Sequence, residues 1–202
     1  MAGDPARAID PRFPGLEPEV VAGYLNAPEN MVAEVIDGEL SLMPRPRPRH
    51  ARAAGELHGE LRGPFDRGRN GPGGWVFLIE PELHLGPKPD IVIPDVAGWR
   101  RERFPVESLD EEAEGHITVA PDWACEVLSP RTRAYDRGKK MRIYRREAIG
   151  HVWHVDPDVR TLEVFRHENG RYVVIDVWEG DVLVRAEPFE AFELALATLW
   201  RV

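Results

Sequence analysis

The chain predicts a mixed α/β (α+β) domain, and three observations carry that expectation. Short apolar runs bounded by turn residues recur at 75–79, 82–85, 90–93 and 122–128, as strands do. Ala53, Ala54, Leu57 and Leu61 fall at helical spacing ahead of them. A second helical stretch, from Asp136 to about Ala148, separates them from a later meander. Strands interrupted by helices in this order exclude an all-β class. At 202 residues one domain is the simplest partition, large enough to bury a core without staples.

Residues 1–30 carry Pro5, Pro11, Pro14, Pro18 and Pro28 with little periodicity, which predicts an extended arm before a single domain over 31–202. Runs at 31–36 and 39–43 flank Asp37-Gly38, a dipeptide suited to the positive φ angles of a tight hairpin. An alternating Pro-Arg stretch, 44–49, leads to His50 and the first core helix, which Gly63-Pro64 stops. The charged span 96–115 reads as a surface excursion. The run 122–128 is short and apolar enough for a buried central strand, ended by Ser129-Pro130. Asp136 caps the helix that follows, with Met141, Tyr144 and Ala148 on one face. Lys139 and Lys140 then fall in its first turn, where the helix dipole opposes them by about 0.3–1 kcal/mol each. Strands at 151–155, 161–165, 172–177 and 182–184, turning at Asp156-Pro157-Asp158 and Asn169-Gly170, make a meander, and 189–200 closes the fold as a short helix.

The formal net charge of −9 argues against tight non-specific nucleic-acid binding as the main task. Local charge runs the other way. Eight basic residues lie between Arg131 and Arg146 against one acid, Asp136, and Arg45, Arg47, Arg49 and Arg52 form a second cluster. A single cysteine, Cys125, excludes an internal disulfide or a paired-cysteine zinc site. No apolar run approaches a membrane span and none resembles a signal peptide, so a cytoplasmic protein with no membrane partner is expected.

Asp90 and Glu126 each sit in a strongly apolar strand-like run, where an unpaired carboxylate costs several kcal/mol, so a cation is expected to meet them. A divalent metal is one candidate. Two acids followed by a lysine are what metal-assisted phosphodiester hydrolysis needs. Pro-Asp alone discriminates nothing, since it occurs at Asp90, Asp95, Asp122 and Asp158; Asp90 is preferred because it leads straight into an apolar strand, and Asp122 reads as a turn residue. The position two after Glu126 is Leu128, which carries no charge, so the lysine must come from the helix. Lys140, one turn ahead of Tyr144, is preferred to Lys139.

Ile36-Asp37-Gly38-Glu39, His50, Pro89-Asp90-Ile91-Val92, Pro121-Asp122, Glu126-Val127-Leu128-Ser129-Pro130, Asp136 to Tyr144 and Val152 to Pro157 together resemble the bacterial Uma-two family. That family is regarded as endonucleases of the PD-(D/E)XK, restriction-endonuclease-like superfamily. The resemblance spans roughly 32–165 and implies a mixed central sheet flanked by helices. It implies metal ligands Asp90 and Glu126 with the Val127 carbonyl, Lys140 as the catalytic lysine, and Glu34 and His50 completing or bordering the site. The chain departs from the family pattern at 152–154, with His151 where a tyrosine is usual.

The expected activity is therefore a Mg²⁺- or Mn²⁺-dependent DNA endonuclease in which Arg131, Arg133, Arg137 and their neighbours grip phosphates. Many such nucleases are homodimers, and Trp200 is a candidate for the interface. The alternative is a nuclease-fold binding or regulatory protein that does not cleave, and if the Asp90 and Glu126 carboxylates cannot approach a common metal the cleavage reading fails. Other chemistries fare worse. No serine-hydrolase elbow, phosphate-binding loop or dinucleotide fingerprint occurs, and His151 and His154 point to opposite strand faces.

Overall fold

A computed structural model of the protein describes residues 10–109 and 115–201. The chain runs α1 (Pro18–Leu25), β1 (Met31–Ile36), β2 (Glu39–Pro44), α2 (Pro48–Leu61), β3 (Trp75–Ile79), β4 (Leu83–Leu85), β5 (Asp90–Val92), β6 (Val96–Arg100) and β7 (Trp123–Val127). It continues through α3 (Arg133–Tyr135), α4 (Met141–Arg146), β8 (His151–Asp156), β9 (Thr161–Glu168), β10 (Arg171–Glu179), β11 (Leu183–Val184) and β12 (Leu194–Ala195). A wide π-turn at Arg62–Asp66 extends α2, and another at Asp136–Lys140 joins α3 to α4.

Six strands form the central sheet in the order β10-β9-β8-β7-β6-β3, and four more form a second sheet, β2-β1-β5-β4. Within the central sheet only β7 and β8 are parallel, and the α3–α4 segment makes the crossover that a parallel pair requires. One face of this sheet packs on α2 and the C-terminal segment through Leu57, Leu61, Trp123, Trp153 and Phe189. The other face packs against the second sheet and α4 through Leu85, Val92, Trp99, Ile143 and Tyr144. β7 is therefore covered on both sides, and all five of its residues are buried.

The mixed class and the hairpin stand as expected. Asp37 and Gly38 both take positive φ, 55° and 77°, as a two-residue turn between paired strands requires. Four expectations need correction. The arm is not extended throughout: α1 lies within it, its Val20, Val21 and Tyr24 packing on Phe13, Val35 and Ile91. Pro18 begins that helix where a missing N–H costs nothing. The span expected to be a surface excursion opens with β6, a buried strand between β3 and β7. Gly98 disguised it, yet the residue is required there: a Cβ would come within 2.9 Å of Phe77 and 3.3 Å of Trp123. The helix expected to start at Asp136 already begins at Arg133, so Asp136, Lys139 and Lys140 lie inside it and meet no first-turn dipole. Finally, the 189–200 segment is a short strand and one 3₁₀ turn rather than a helix, and Trp200 is buried in the core with its indole N–H donating to Asp181.

Candidate active site

A cavity of about 250 Å³ opens where the two sheets and the α3–α4 crossover meet. Its walls include Glu34, His50, Asp95, Glu126, Asp136 and Lys140, with Arg45, Arg47 and Arg131. Asp95 stands at the mouth of β6, one residue before the strand begins. Its Oδ2 accepts the Val127 N–H at 2.7 Å and its Oδ1 lies 2.6 Å from His50 Nε2. Those bonds hold its carboxylate against the end of β7, beside Glu126.

Glu126 is buried and its two oxygens are divided. Oε2 is 3.1 Å from Lys140 Nζ, and Oε1 accepts the Tyr144 hydroxyl. Lys140, only 4% exposed, also donates to the Ile93 carbonyl at 2.9 Å and meets Glu34 at 3.1 Å and Asp136 at 3.8 Å. Glu34, on β1 and fully buried, accepts the Ile93 N–H at 2.7 Å through Oε1. Its Oε2 is buried without a hydrogen-bond partner. The second sheet and the central sheet thus contribute an acid each to one ammonium.

The charges do not cancel. Glu34, Asp95, Glu126 and Asp136 face Lys140 and one histidine. Burial drives the Glu126 carboxyl well above its ordinary range against the pull of Lys140. Burial likewise pushes Asp136 up to about 6. Burial alone would pull Lys140 down, but the charges of Glu126, Glu34, Tyr144 and Asp136 outweigh it and push the ammonium up. With three carboxylates around it, Lys140 keeps its proton, and any further proton the cluster takes up goes to the carboxyls. His50 follows the same logic: burial disfavours its charge, and Asp95 more than restores it. Such a surplus of buried negative charge is a cation site in chemical terms.

The donor set suits a hard divalent ion. Among the described residues no group of three or more His, Cys, Asp or Glu side chains is arranged to hold a metal by itself. Mg²⁺ does not need one, being held commonly by one or two carboxylates plus water and substrate phosphate. Asp95 and Glu126 are two carboxylates in this cavity wall, and Glu34, whose Oε2 has no hydrogen-bond partner, lines the same cavity.

Set against the sequence, the structure brings Glu34, His50, Glu126 and Lys140 together and leaves Asp90 out. Asp90, on β5, accepts the Asp37 N–H at 2.6 Å and pairs with Arg146, and it does not line the cavity. Asp95 lies five positions further along the chain. The condition set for cleavage, that Asp90 and Glu126 approach one metal, is not met: cleavage in that form fails, and the carboxylate that lines the cavity with Glu126 is Asp95. Lys139 turns outward to Glu39 at 3.0 Å. Val127 contributes its N–H, to Asp95. Arg131 lines the cavity, but Arg133 pairs with Asp156, and Arg137 makes two 2.7 Å bonds to Glu163. Sequence reasoning missed Asp95 and underrated Asp136 and Tyr144. The signal for Asp95 was present in Val96-Ala97-Gly98-Trp99, an apolar run directly after Pro94-Asp95.

Comparison with known proteins agrees with this fold. The crystal structure of "a putative nuclease belonging to DUF820" from Anabaena variabilis superimposes with a TM-score of 0.65 at 23% identity, over 84% of this chain and 89% of that one. This likeness concerns the fold. No curated protein matches the sequence. A family model, Uma2, described as "Putative restriction endonuclease", matches residues 21–197, nearly the whole folded region. On that match the chain belongs to the Uma2 family, with a nuclease-like fold.

Proposed function

We propose that the protein is a Mg²⁺- or Mn²⁺-dependent DNA endonuclease whose site is Asp95, Glu126 and Lys140. The single observation that carries this reading is the convergence of the three. An acid at the mouth of β6, an acid inside adjacent β7 and a lysine from the crossover helix line one cavity with excess buried negative charge. Asp95 and Glu126 would hold the divalent ion, Glu34 standing behind them. The bound ion supplies charge neutralisation at the phosphate and a more acidic water.

The remaining work falls to side chains. Lys140 is a proton-bearing donor that can steady an attacking hydroxide or a phosphate oxygen, and Asp136 and Glu34 keep it charged and aimed. Tyr144 fixes the rotamer of Glu126 by donating to Oε1, and His50 does the same for Asp95. Two such sites are needed to cut both strands of a duplex, so we propose a homodimer as the working form.

The test is cleavage of supercoiled plasmid and single-stranded DNA with Mg²⁺ or Mn²⁺, comparing the wild type with Asp95→Asn, Glu126→Gln and Lys140→Met. Metal-dependent cleavage lost in all three supports the reading, and cleavage unchanged in them overturns it. A second reading, a binding protein that does not cleave, is favoured by the net charge of −9. It predicts DNA retention without nicking under every metal condition.

A further inference from the structure

The arginines expected to hold phosphate are largely committed elsewhere, which leaves open what would grip a strand at this cavity. Arg133 is tied to Asp156, Arg137 to Glu163, Arg49 to Asp158 and Arg52 to Glu56. The cavity rim carries three others, Arg45, Arg47 and Arg131. Arg47 and Arg131 make no ion pair among the described residues. Arg45 donates its Nε to the Glu29 carbonyl at 2.9 Å, a bond that fixes the guanidinium without neutralising it.

Two of the three sit on an unusual segment. Between the last residue of β2, Pro44, and the first of α2, Pro48, the chain reads Arg45-Pro46-Arg47. Prolines at 44, 46 and 48 remove three N–H donors, so strand pairing goes no further than Arg45, whose N–H donates to the Asn30 carbonyl at 3.3 Å. Each arginine also precedes a proline, which confines it to extended backbone. Arg47 has φ −76° and ψ 160°, close to polyproline II geometry. Both ends are anchored, one in the hairpin and the other in a helix whose Leu57 and Leu61 are core residues. The strap is therefore stiff before any ligand arrives. It crosses the lip of a cavity whose floor is acidic.

An acidic floor with a cationic rim matches one ligand chemistry: a phosphodiester whose reacting phosphate sits over a cation on the floor while flanking phosphates meet guanidinium groups. We propose that Arg45-Pro46-Arg47, together with Arg131, is a preformed subsite for the phosphates flanking the scissile bond of a DNA strand. This rests on the nuclease reading and assigns substrate contacts to residues outside the 131–146 run apart from Arg131. Stiffness matters because each guanidinium held in place before binding loses less entropy on contact.

The test is fluorescence anisotropy with a labelled single-stranded 20-mer and the matching duplex. The assay uses the full chain with Ca²⁺ in place of Mg²⁺, across a salt series. Arg47→Gln and Arg131→Gln should each lower the slope of log Kd against log salt by about 0.7–0.9. Arg171→Gln, on the exposed edge strand, should leave it unchanged. Pro46→Ala should raise Kd about two- to fivefold with the slope intact, because it loosens the strap without removing charge. Slopes equal to wild type in both rim variants would overturn the subsite while leaving the nuclease reading standing. Absence of any DNA binding by the wild type would overturn both.

Discussion

Lys140 Nζ lies 3.1 Å from Glu126 Oε2 and 3.1 Å from Glu34 Oε1, so one ammonium joins acids from two sheets. All three groups are buried, and removing the cation strands two carboxylates in an apolar setting. Lys140→Met should cost about 3–5 kcal/mol in the metal-free protein. Adding Glu126→Gln should recover part of that loss, since the second change removes a charge the first left unpaired. Urea unfolding of the two single variants and the double variant, run with chelator at pH 8, measures the coupling. Strict additivity would contradict the contact.

Asp90 and Asp95 separate stability from activity. Asp95→Asn should reduce metal-dependent cleavage by about 10²-fold or more while the melting temperature changes little. Asp90→Asn weakens the Arg146 pair and the Asp37 N–H bond, so it should lower stability by about 1–3 kcal/mol and leave turnover per folded molecule intact. Paired cleavage and thermal-melt measurements on the two variants decide between them.

Asp136 gives the metal-free fold a defined pH dependence. Burial raises its carboxyl from an ordinary 3.8 to about 6, so between those values the folded state holds a proton that the unfolded chain has released. Stability linked to this group is then fully present below pH 3.8 and lost as pH rises through 6, to a total of about 3 kcal/mol. Asp136→Asn should abolish that difference. Subtracting its stability curve from the wild-type curve between pH 4 and pH 8 isolates the effect from carboxylates such as Glu163, held down at about 2 by His154 and Arg137.

Gly98→Ala tests how far the site depends on the sheet behind it. The new methyl meets Phe77 on one neighbouring strand and Trp123 on the other, and overpacking of this kind costs about 1–3 kcal/mol. β6 also carries Asp95 at its mouth, so cleavage should fall alongside stability. Replacing Gly98 by Ala together with Phe77→Leu should restore both, as measured by melting temperature and nicking rate.

Much of this was legible in the chain. Glu126 betrayed itself as an acid inside a run that buries on both faces, and Lys140 by its i, i+4 relation to Tyr144. The hairpin followed from Asp37-Gly38 between two strand-like runs. What stayed hidden has physical causes. β6 contains a glycine that two aromatic neighbours demand, and a glycine within five residues weakens any strand pattern. Asp90 and Asp95 have near-identical local sequence, Pro-Asp followed by apolar residues, and only strand pairing tells which one faces the cavity. β5 joins the second sheet and β6 the central one, a tertiary fact. The partners that occupy Arg133 and Arg137 lie on β8 and β9, 23 and 26 residues away, so local charge density overstated their availability.

The π-turn at Asp136–Lys140 has a consequence for how this protein can change over evolutionary time. In a regular α-helix, positions four apart drift around the axis by about 40° per step, so Asp136 would look well away from Tyr144 two steps later. The widened turn absorbs part of that drift, and Asp136, Lys140 and Tyr144 are a column of three side chains four apart, all buried. Point substitutions on the outer side of this helix leave the column standing. Loss or gain of a single residue between Asp136 and Lys140 rotates one end against the other and disperses it. Relatives that keep this chemistry should therefore vary freely in composition here but hold the segment to constant length.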